Sequence, residues 1–582
     1  MLMMVQGLSI FFQSLSNSSG RAFPYEEPTF TQVLVLLSFI YFLNVTRSLF
    51  DSAFNAGLLA QIALGMIYGT PLASILPQGW EATFTAMGYL GLIGIIFEGG
   101  LYSNPSHILS GISLSVTCAV IGVLLPIAFS MALLFGAFGY APLEAFAAGA
   151  ALCSTSLGTT LMVLGSINVA SKSTLEEKGP VSVHENEATT SPADSSVTDL
   201  GQARLTTILV NAAMIDDVIG LVLSSVIQSL GNSRTQTGSK LAWTIVKPLL
   251  SSSLIAVITP LAAYYILRPI LSSRAIRTKA LKFGTTINAV LKTYARFTIQ
   301  HNGPTVHNLN LCLMVLALAG MSSIAYFTGS SALFGAYLAG ILLNYSFEIY
   351  NSSRQSESTK SLPTIHDTFE KYIQPLQQHI LAPLFFSSIG FAVPFLSLWN
   401  RKIVWRGMLY ALLMGIGKIA AGVPVGIRTA WMHHSSDFDS PPQINLTSPT
   451  ELQEITASGV LAEGIPTHRL GSRNSTSAVQ NEVAPTIRRR QFNQLRKFWE
   501  NLKSIETRVS TCFVGTAMVS RGEIGLLIAQ LGRTTGSSSS VPLLGDEAFL
   551  VCIWAIILCT LVGPISMGFI VKRWGVVIVN WR

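Results

Sequence analysis

The sequence predicts an all-α polytopic membrane protein. Three observations lead there. Half of the 582 residues are hydrophobic, and only 11% are Asp, Glu, Lys or Arg, against roughly 25% in a soluble protein. The apolar residues gather in long unbroken runs, not in the period-two alternation of strands. Polar residues collect in a few inserts between those runs. A chain so poor in charge cannot cover several soluble domains, which sets aside soluble enzymes, disordered proteins and disulfide scaffolds.

A bilayer crossing takes about 20 apolar helical residues. About thirteen runs qualify, near residues 30–50, 54–69, 84–102, 109–137, 143–165, 203–229, 243–268, 309–327, 330–346, 377–397, 404–429, 510–532 and 547–571. The second and ninth are short. Before them, residues 1–29 are apolar at the start but lack a basic n-region, so they read poorly as a signal peptide. Polar inserts fall at 166–202, 269–308, 347–376 and 431–508, and a short tail at 572–582 ends the chain. The longest insert reads as disordered until its end. There a basic stretch carries Phe492, Leu495, Phe498, Trp499 and Leu502 at helical spacing, as a short interfacial helix would. Cys118, Cys153, Cys312, Cys512, Cys552 and Cys559 all lie in apolar stretches without metal-ligand spacing and read as small core residues.

The net charge is +8. Basic clusters beside hydrophobic spans point to orientation in a membrane, and no nucleic-acid partner is expected. With an odd number of crossings the termini lie on opposite sides. Placing the N-terminus outside puts most of the 37 Lys and Arg residues on the cytosolic side. The expectation is an extracytosolic N-terminal segment with Asn17 as its glycosylation acceptor, and a cytosolic tail.

Of the fourteen charged residues within these bounds, seven stand out, the others lying within about four residues of a run end. Arg47 is near a run end and can snorkel. The other six are Glu98, Asp216, Asp217, Lys418, Arg521 and Glu523. A charge at the centre of a membrane helix costs about 2.5–3.5 kcal/mol. Alone, the six would cost roughly 15–20 kcal/mol, more than a typical domain's stability of about 5–15 kcal/mol. They must pair, protonate or face water.

Asp216 and Asp217 sit at the midpoint of the sixth run. Adjacent helical residues point about 100° apart. One carboxylate can therefore be held by a fixed cation while the other faces a cavity, ready to exchange a proton for a cation. Static salt bridges are the bland alternative. Lys418, in the eleventh run and away from a run end, is a natural partner for either acid. In the twelfth run, Arg521 and Glu523 flank Gly522. Residues 153–160, with Ser154, Thr155 and Ser156, form a comparable soft spot in the fifth run. An interrupted segment in each half of a transporter points to the substrate site. Arg521 and Glu523 read first as structural or gating charges that neutralise helix ends, and second as ion contacts. Glu98 reads as part of a hydrated access funnel or a packing contact. The histidines read as loop or run-edge residues.

These segments together resemble the monovalent cation/proton antiporter superfamily, in particular its second branch, with a sodium/hydrogen exchanger-type membrane domain. NVTRSLFDSAFNAGLLAQIALGMIYG, ALCSTSLGTTLMVLG, the DD pair, GSSALFGAYLAGILL, and APLFFSSIGFAVPF followed by the lysine and RGE helices carry the resemblance across roughly residues 30–571. It implies two inverted three-helix repeats, runs four to six and eleven to thirteen, with the fifth and twelfth crossing as broken helices. The remaining helices would form a scaffold and a homodimer interface. It implies that Asp217 carries the transported monovalent cation or the proton, that Asp216 is the neighbouring acid with Lys418 as its ion-pair partner, and that Thr155 and Ser156 lie in the unwound region. It also implies Na⁺, Li⁺ or K⁺ exchange for H⁺, electrogenic with two protons per cation, without cofactor or enzymatic activity. The sequence ends about ten residues after the last run, so regulation by an appended nucleotide-binding domain is not expected.

The expected function is Na⁺/H⁺ antiport in the plasma membrane or an endomembrane. K⁺/H⁺ antiport is the alternative, and a non-exchanging channel or sensor stands behind it. A membrane aspartyl protease would take its two acids from different helices with a GxGD-type element, and the sequence has none.

Overall fold

The structure is a computed structural model. It describes residues 27–103, 111–156, 204–232, 239–267, 304–352, 364–439, 504–534 and 542–579. The regular elements among the described residues are all helices, with no strand among them. The expected interfacial helix near 488–508 lies almost wholly outside them, as do residues 157–160 of the fifth run.

Each of the thirteen apolar runs carries helix. In chain order these are α1 (Phe30–Phe54), α2 (Gly57–Tyr68), α3 (Gln78–Tyr102), α4 (Ile112–Ser130), α5 (Pro142–Ala151), α6 (Arg204–Asn232), α7 (Ser239–Ala262), α8 (Pro304–Thr328) and α9 (Ala332–Ser352). There follow α10 (Ala382–Ala392), α11 (Arg401–Ala420), α12 (Val423–Asp439), α13 (Ile505–Ala517), α14 (Glu523–Thr534) and α15 (Asp546–Val579). Among the described residues, eight spans are long and apolar enough to cross a membrane, and α2 and the apolar part of α9 are shorter. The eleventh run divides into α11 and α12 at residues 421–422, and the twelfth into α13 and α14 at residues 518–522.

Local chemistry sets the helix ends. Thr29 caps α1 by accepting from the Gln32 amide, and the Gln32 side chain answers to the Thr29 amide. Asn55 ends α1 in the left-handed region at φ 52°, which Asn tolerates better than most residues. Asp51 then accepts from the Gly57 amide at 2.6 Å, so α1 caps α2. Pro142 opens α5 at a position where a missing N–H costs nothing. Ser504 caps α13 through the Thr507 amide at 3.2 Å. Ahead of α10, residues 365–381 alternate α and π turns. The sequence assigns most of that segment to a polar insert, whereas it is the first part of a helical rod.

Two bodies share the fold. In the first, α3 packs on α9 and α10, and α2 packs on α1 and α10. Backbones meet closely here. A Cβ on Gly100 would lie 2.1 Å from the Tyr337 carbonyl oxygen, and one on Gly340 would lie 2.4 Å from that of Phe97, the small-residue packing of membrane helices. In the second, α4 packs on α5, α6 and α11, α6 on α14, and α15 on α11 and α13. These are the scaffold and the core expected from the resemblance.

Apolar side chains cover the outside. On α1, Phe30, Leu34, Leu37 and Tyr41 are exposed, and on α8 Val315, Leu316 and Phe327. One expectation needs correcting. Cys118, Cys153, Cys552 and Cys559 are buried, but Cys312 and Cys512 are exposed. Membership of an apolar run does not separate core from periphery when the surrounding solvent is itself apolar.

Candidate ion site at the helix break

The core converges where two helices stop part-way along their apolar runs. α5 ends at Ala151, and the chain continues without helix through Ser154, Thr155 and Ser156. α13 ends at Ala517, and α14 begins at Glu523. The two breaks touch: the Ser156 amide donates to the Ser520 carbonyl at 3.0 Å. Gly522 permits this approach, because a Cβ there would sit 2.8 Å from Ser156 Cβ.

Helix C-terminal ends carry partial negative charge and unpaired carbonyls. Cations answer them. Arg521, fully buried, donates from Nη1 to the Ser154 carbonyl at 3.0 Å. Its own carbonyl accepts from Thr560 Oγ1 at 3.1 Å, which ties the break to α15.

α6 presents the two acids to this crossing. Asp216 is fully buried. Its Oδ2 accepts from Lys418 Nζ and from Thr155 Oγ1. Lys418 Nζ also donates to Thr155 Oγ1 at 2.9 Å. A lysine from α11, an aspartate from α6 and a threonine from the α5 break thus form a closed triangle. The residues alone leave open which acid holds Lys418; the resemblance assigns it to Asp216, and the structure pairs the same two side chains. Lys418 lies in the last turn of α11, just before the division of the eleventh run. It is nonetheless fully buried, so it does not snorkel.

Asp217 differs. Among the described residues Ser154 Oγ alone donates to it, at 3.0 Å, and part of its surface stays exposed. Glu523, also partly exposed, is its electrostatic neighbour. Close packing holds the two helices together at this level, with Gly220 of α6 against Ile524 and Ser154. The crossing therefore gathers Asp216, Asp217, Lys418, Ser154, Thr155, Ser156, Arg521 and Glu523. One carboxylate is locked to a cation and one is left without a charged hydrogen-bond partner.

Glu98 stands apart on the scaffold. Gln377 Nε2 donates to its Oε2 at 2.7 Å and Gln374 Nε2 to its Oε1 at 3.3 Å. These bonds fasten α3 to the α/π segment, although Glu523 remains within electrostatic range. Arg47 likewise turns to the protein, donating to the Gln378 carbonyl at 2.9 Å.

A family model described as sodium/hydrogen exchanger, transmembrane, matches residues 34–176 and 188–438, more than half of the chain. The chain belongs to the sodium/hydrogen exchanger family. It is 30% identical over 165 residues to the high-affinity Na⁺/H⁺ antiporter NhaS3 of Synechocystis. That match covers 27% of this chain and 29% of the relative. The fold is similar to that of the sodium proton antiporter MjNhaP1 from Methanocaldococcus jannaschii, solved at pH 8, with a TM-score of 0.50 over 94% of this chain and 99% of the other at 14% identity. The chain is accordingly an integral, multi-pass membrane protein of this family.

Sequence reasoning missed contacts between core and scaffold. Ser103, which ends α3, donates from Oγ to Met214 Sδ at 3.2 Å and shares a 3.1 Å hydrogen bond with the Tyr337 hydroxyl. Arg533, at the end of α14, reaches the Ala392 carbonyl of α10. Neither has a sequence signal, because each joins residues more than 100 positions apart.

Proposed function

We propose that this exchanger trades Na⁺ for H⁺ by alternating access, with Asp217 as the group that holds either the cation or the proton. The observation that carries the reading is the asymmetry of the acid pair. Asp216 is sealed against Lys418 and Thr155, while Asp217 is partly exposed and meets only a hydroxyl. A carboxylate with serine and threonine oxygens and unwound backbone beside it is a donor set for a hard monovalent cation.

The charge inventory supports competition at this place. Fully ionised, Asp216, Asp217 and Glu523 outnumber Lys418 and Arg521 by one negative charge. One proton or one monovalent cation neutralises that excess, so either excludes the other. A cation bound to Asp217 also bears on the Lys418–Asp216 pair next to it. Release of a proton from Lys418 then supplies the second proton of an electrogenic cycle. The core moves against the scaffold to change access. The chain works as a homodimer, with its N-terminus extracytosolic and its C-terminus cytosolic, in the plasma membrane or an endomembrane.

The test is proton flux in proteoliposomes, read with an internal pH dye, on separate addition of Na⁺, K⁺ and Li⁺. Na⁺ is expected to give the largest response, and Asp217→Asn none while remaining folded. Full activity of Asp217→Asn would remove the mechanism, and a response to K⁺ alone would move the substrate to potassium.

A further inference from the structure

One boundary has to slip if the core is to move, and side chains cross it at both ends of α3. Near the Tyr102 end, Ser103 holds Met214 of α6. Near the Gln78 end the wall opens into a cavity of about 580 Å³ between scaffold and core. Gln78, Glu81 and Phe385 line its scaffold side and Leu527, Gln530 and Thr534 its core side. Ala392, which ends α10, also lines it. α3 has 25 residues, or about 37 Å at 1.5 Å each, so the two crossings lie on opposite faces of the membrane.

Arg533 crosses from core to scaffold at the edge of this cavity, at Ala392. Its Nη1 donates to the Ala392 carbonyl, one of the last orphan acceptors of α10, where the helix dipole favours a cation. Its other terminal nitrogen pairs with Asp546 Oδ1 at 3.1 Å, and its guanidinium lies 4.8 Å from the centre of the Phe549 ring. Asp546 and Phe549 belong to the core, so the base of the arm is fixed there. The core end itself is stitched firmly. Leu544 donates to the Gly532 carbonyl at 2.7 Å, and Gly545 to Glu144 of α5 at 2.8 Å. Arg406 of α11 and Tyr140 both bond Glu547 of α15. Arg533 is the arm that leaves this rigid end for the scaffold.

We infer that Arg533 is a conformational strap: it favours the arrangement in which the cavity stands open between α14 and the α3–α10 wall, and it lets go of Ala392 when the core moves. This rests on the reading that the core moves against the scaffold. Asp546, which is largely exposed, keeps the released guanidinium on the core, ready to rebind. The arm touches neither Asp217 nor Lys418, so it sets the balance between conformations and leaves the ion site intact.

The experiment follows the cavity directly. A cysteine placed by Gln530→Cys is labelled with a membrane-impermeant thiol reagent in the purified full chain, and its peptide is quantified by mass spectrometry so that native cysteines do not interfere. Adding Arg533→Ala is expected to slow labelling at least twofold. Arg533→Lys, which keeps the charge but not the two-pronged reach, is expected to slow it by less. The Lys variant also carries the test if Ala disturbs folding. A labelling rate that is unchanged or faster in folded variants of both kinds would overturn the strap. The same series in an Asp217→Asn background separates this outcome from failure of the transport reading, because the strap does not depend on that carboxylate.

Discussion

At the scale of single residues, Lys418 cannot be removed alone. Truncating it leaves Asp216 buried and unpaired, and breaking a buried pair this way costs about 3–5 kcal/mol. Lys418→Met is therefore expected to lower the denaturation midpoint in detergent sharply. Adding Asp216→Leu is expected to recover much of that loss, since an apolar pair of similar volume avoids the stranded charge. A double variant no more stable than the single would contradict the geometry. Thr155 bridges the same triangle, and Thr155→Val should cost about 1–3 kcal/mol through unmet polar partners. Thr155→Ser should cost far less, by the same denaturation measurement. The residues of this triangle were legible in the sequence, because charge in an apolar run is conspicuous. Their pairing was not legible in the residues themselves and came only from the family resemblance. Asp216 and Asp217 differ by one helical step, and only the direction of α11 decides which meets Lys418. Glu98 shows the same gap from the other side: its partner Gln374 lies in a segment whose polar composition reads as an insert, and Gln377 only at the first position of the tenth run.

At the scale of elements, the broken helices depend on what stands at the break. Gly522→Ala would drive a Cβ into Ser156, and overpacking of this kind costs about 1–3 kcal/mol. Gly415→Ala on α11 meets nothing within 4 Å and should be neutral or slightly stabilising, as alanine favours helix over glycine. Comparing the two denaturation midpoints isolates the crossing. The α/π segment before α10 carries a pH response of its own. His366 is part-buried against the Tyr102 ring and within reach of Asn344 Oδ1 at 3.2 Å. Burial pushes its pKa below the ordinary histidine value, while Glu370 and Asp367 oppose the shift. The unfolded chain therefore binds a proton first as pH falls through about 6.5. Stability is then lost on acidification through that window, and His366→Gln should flatten the slope of thermal stability between pH 7.5 and 5.5. An unchanged slope would contradict the burial. The break at residues 518–522 was foreshadowed by Gly522, and the division of the eleventh run at residues 421–422 is marked by Gly422 and Pro424, a signal hidden by the continuity of the apolar run; the π turns had no compositional mark.

At the scale of the whole molecule, the all-helical membrane class followed from charge scarcity and run length alone. The partition into core and scaffold did not, because it is made by contacts such as Gly100 on Tyr337 and Arg533 on Ala392 that join distant parts of the chain. Orientation is checked by tags on the two termini: in sealed right-side-out vesicles, an N-terminal tag should be open to protease and a C-terminal tag protected. The central claim, that one carboxylate alternates between a proton and a cation, is tested most directly by proton release. Adding Na⁺ to the purified, weakly buffered exchanger should liberate protons from the unmodified chain, fewer from Lys418→Met, and none from Asp217→Asn. Equal release from the Asp217→Asn protein would contradict it.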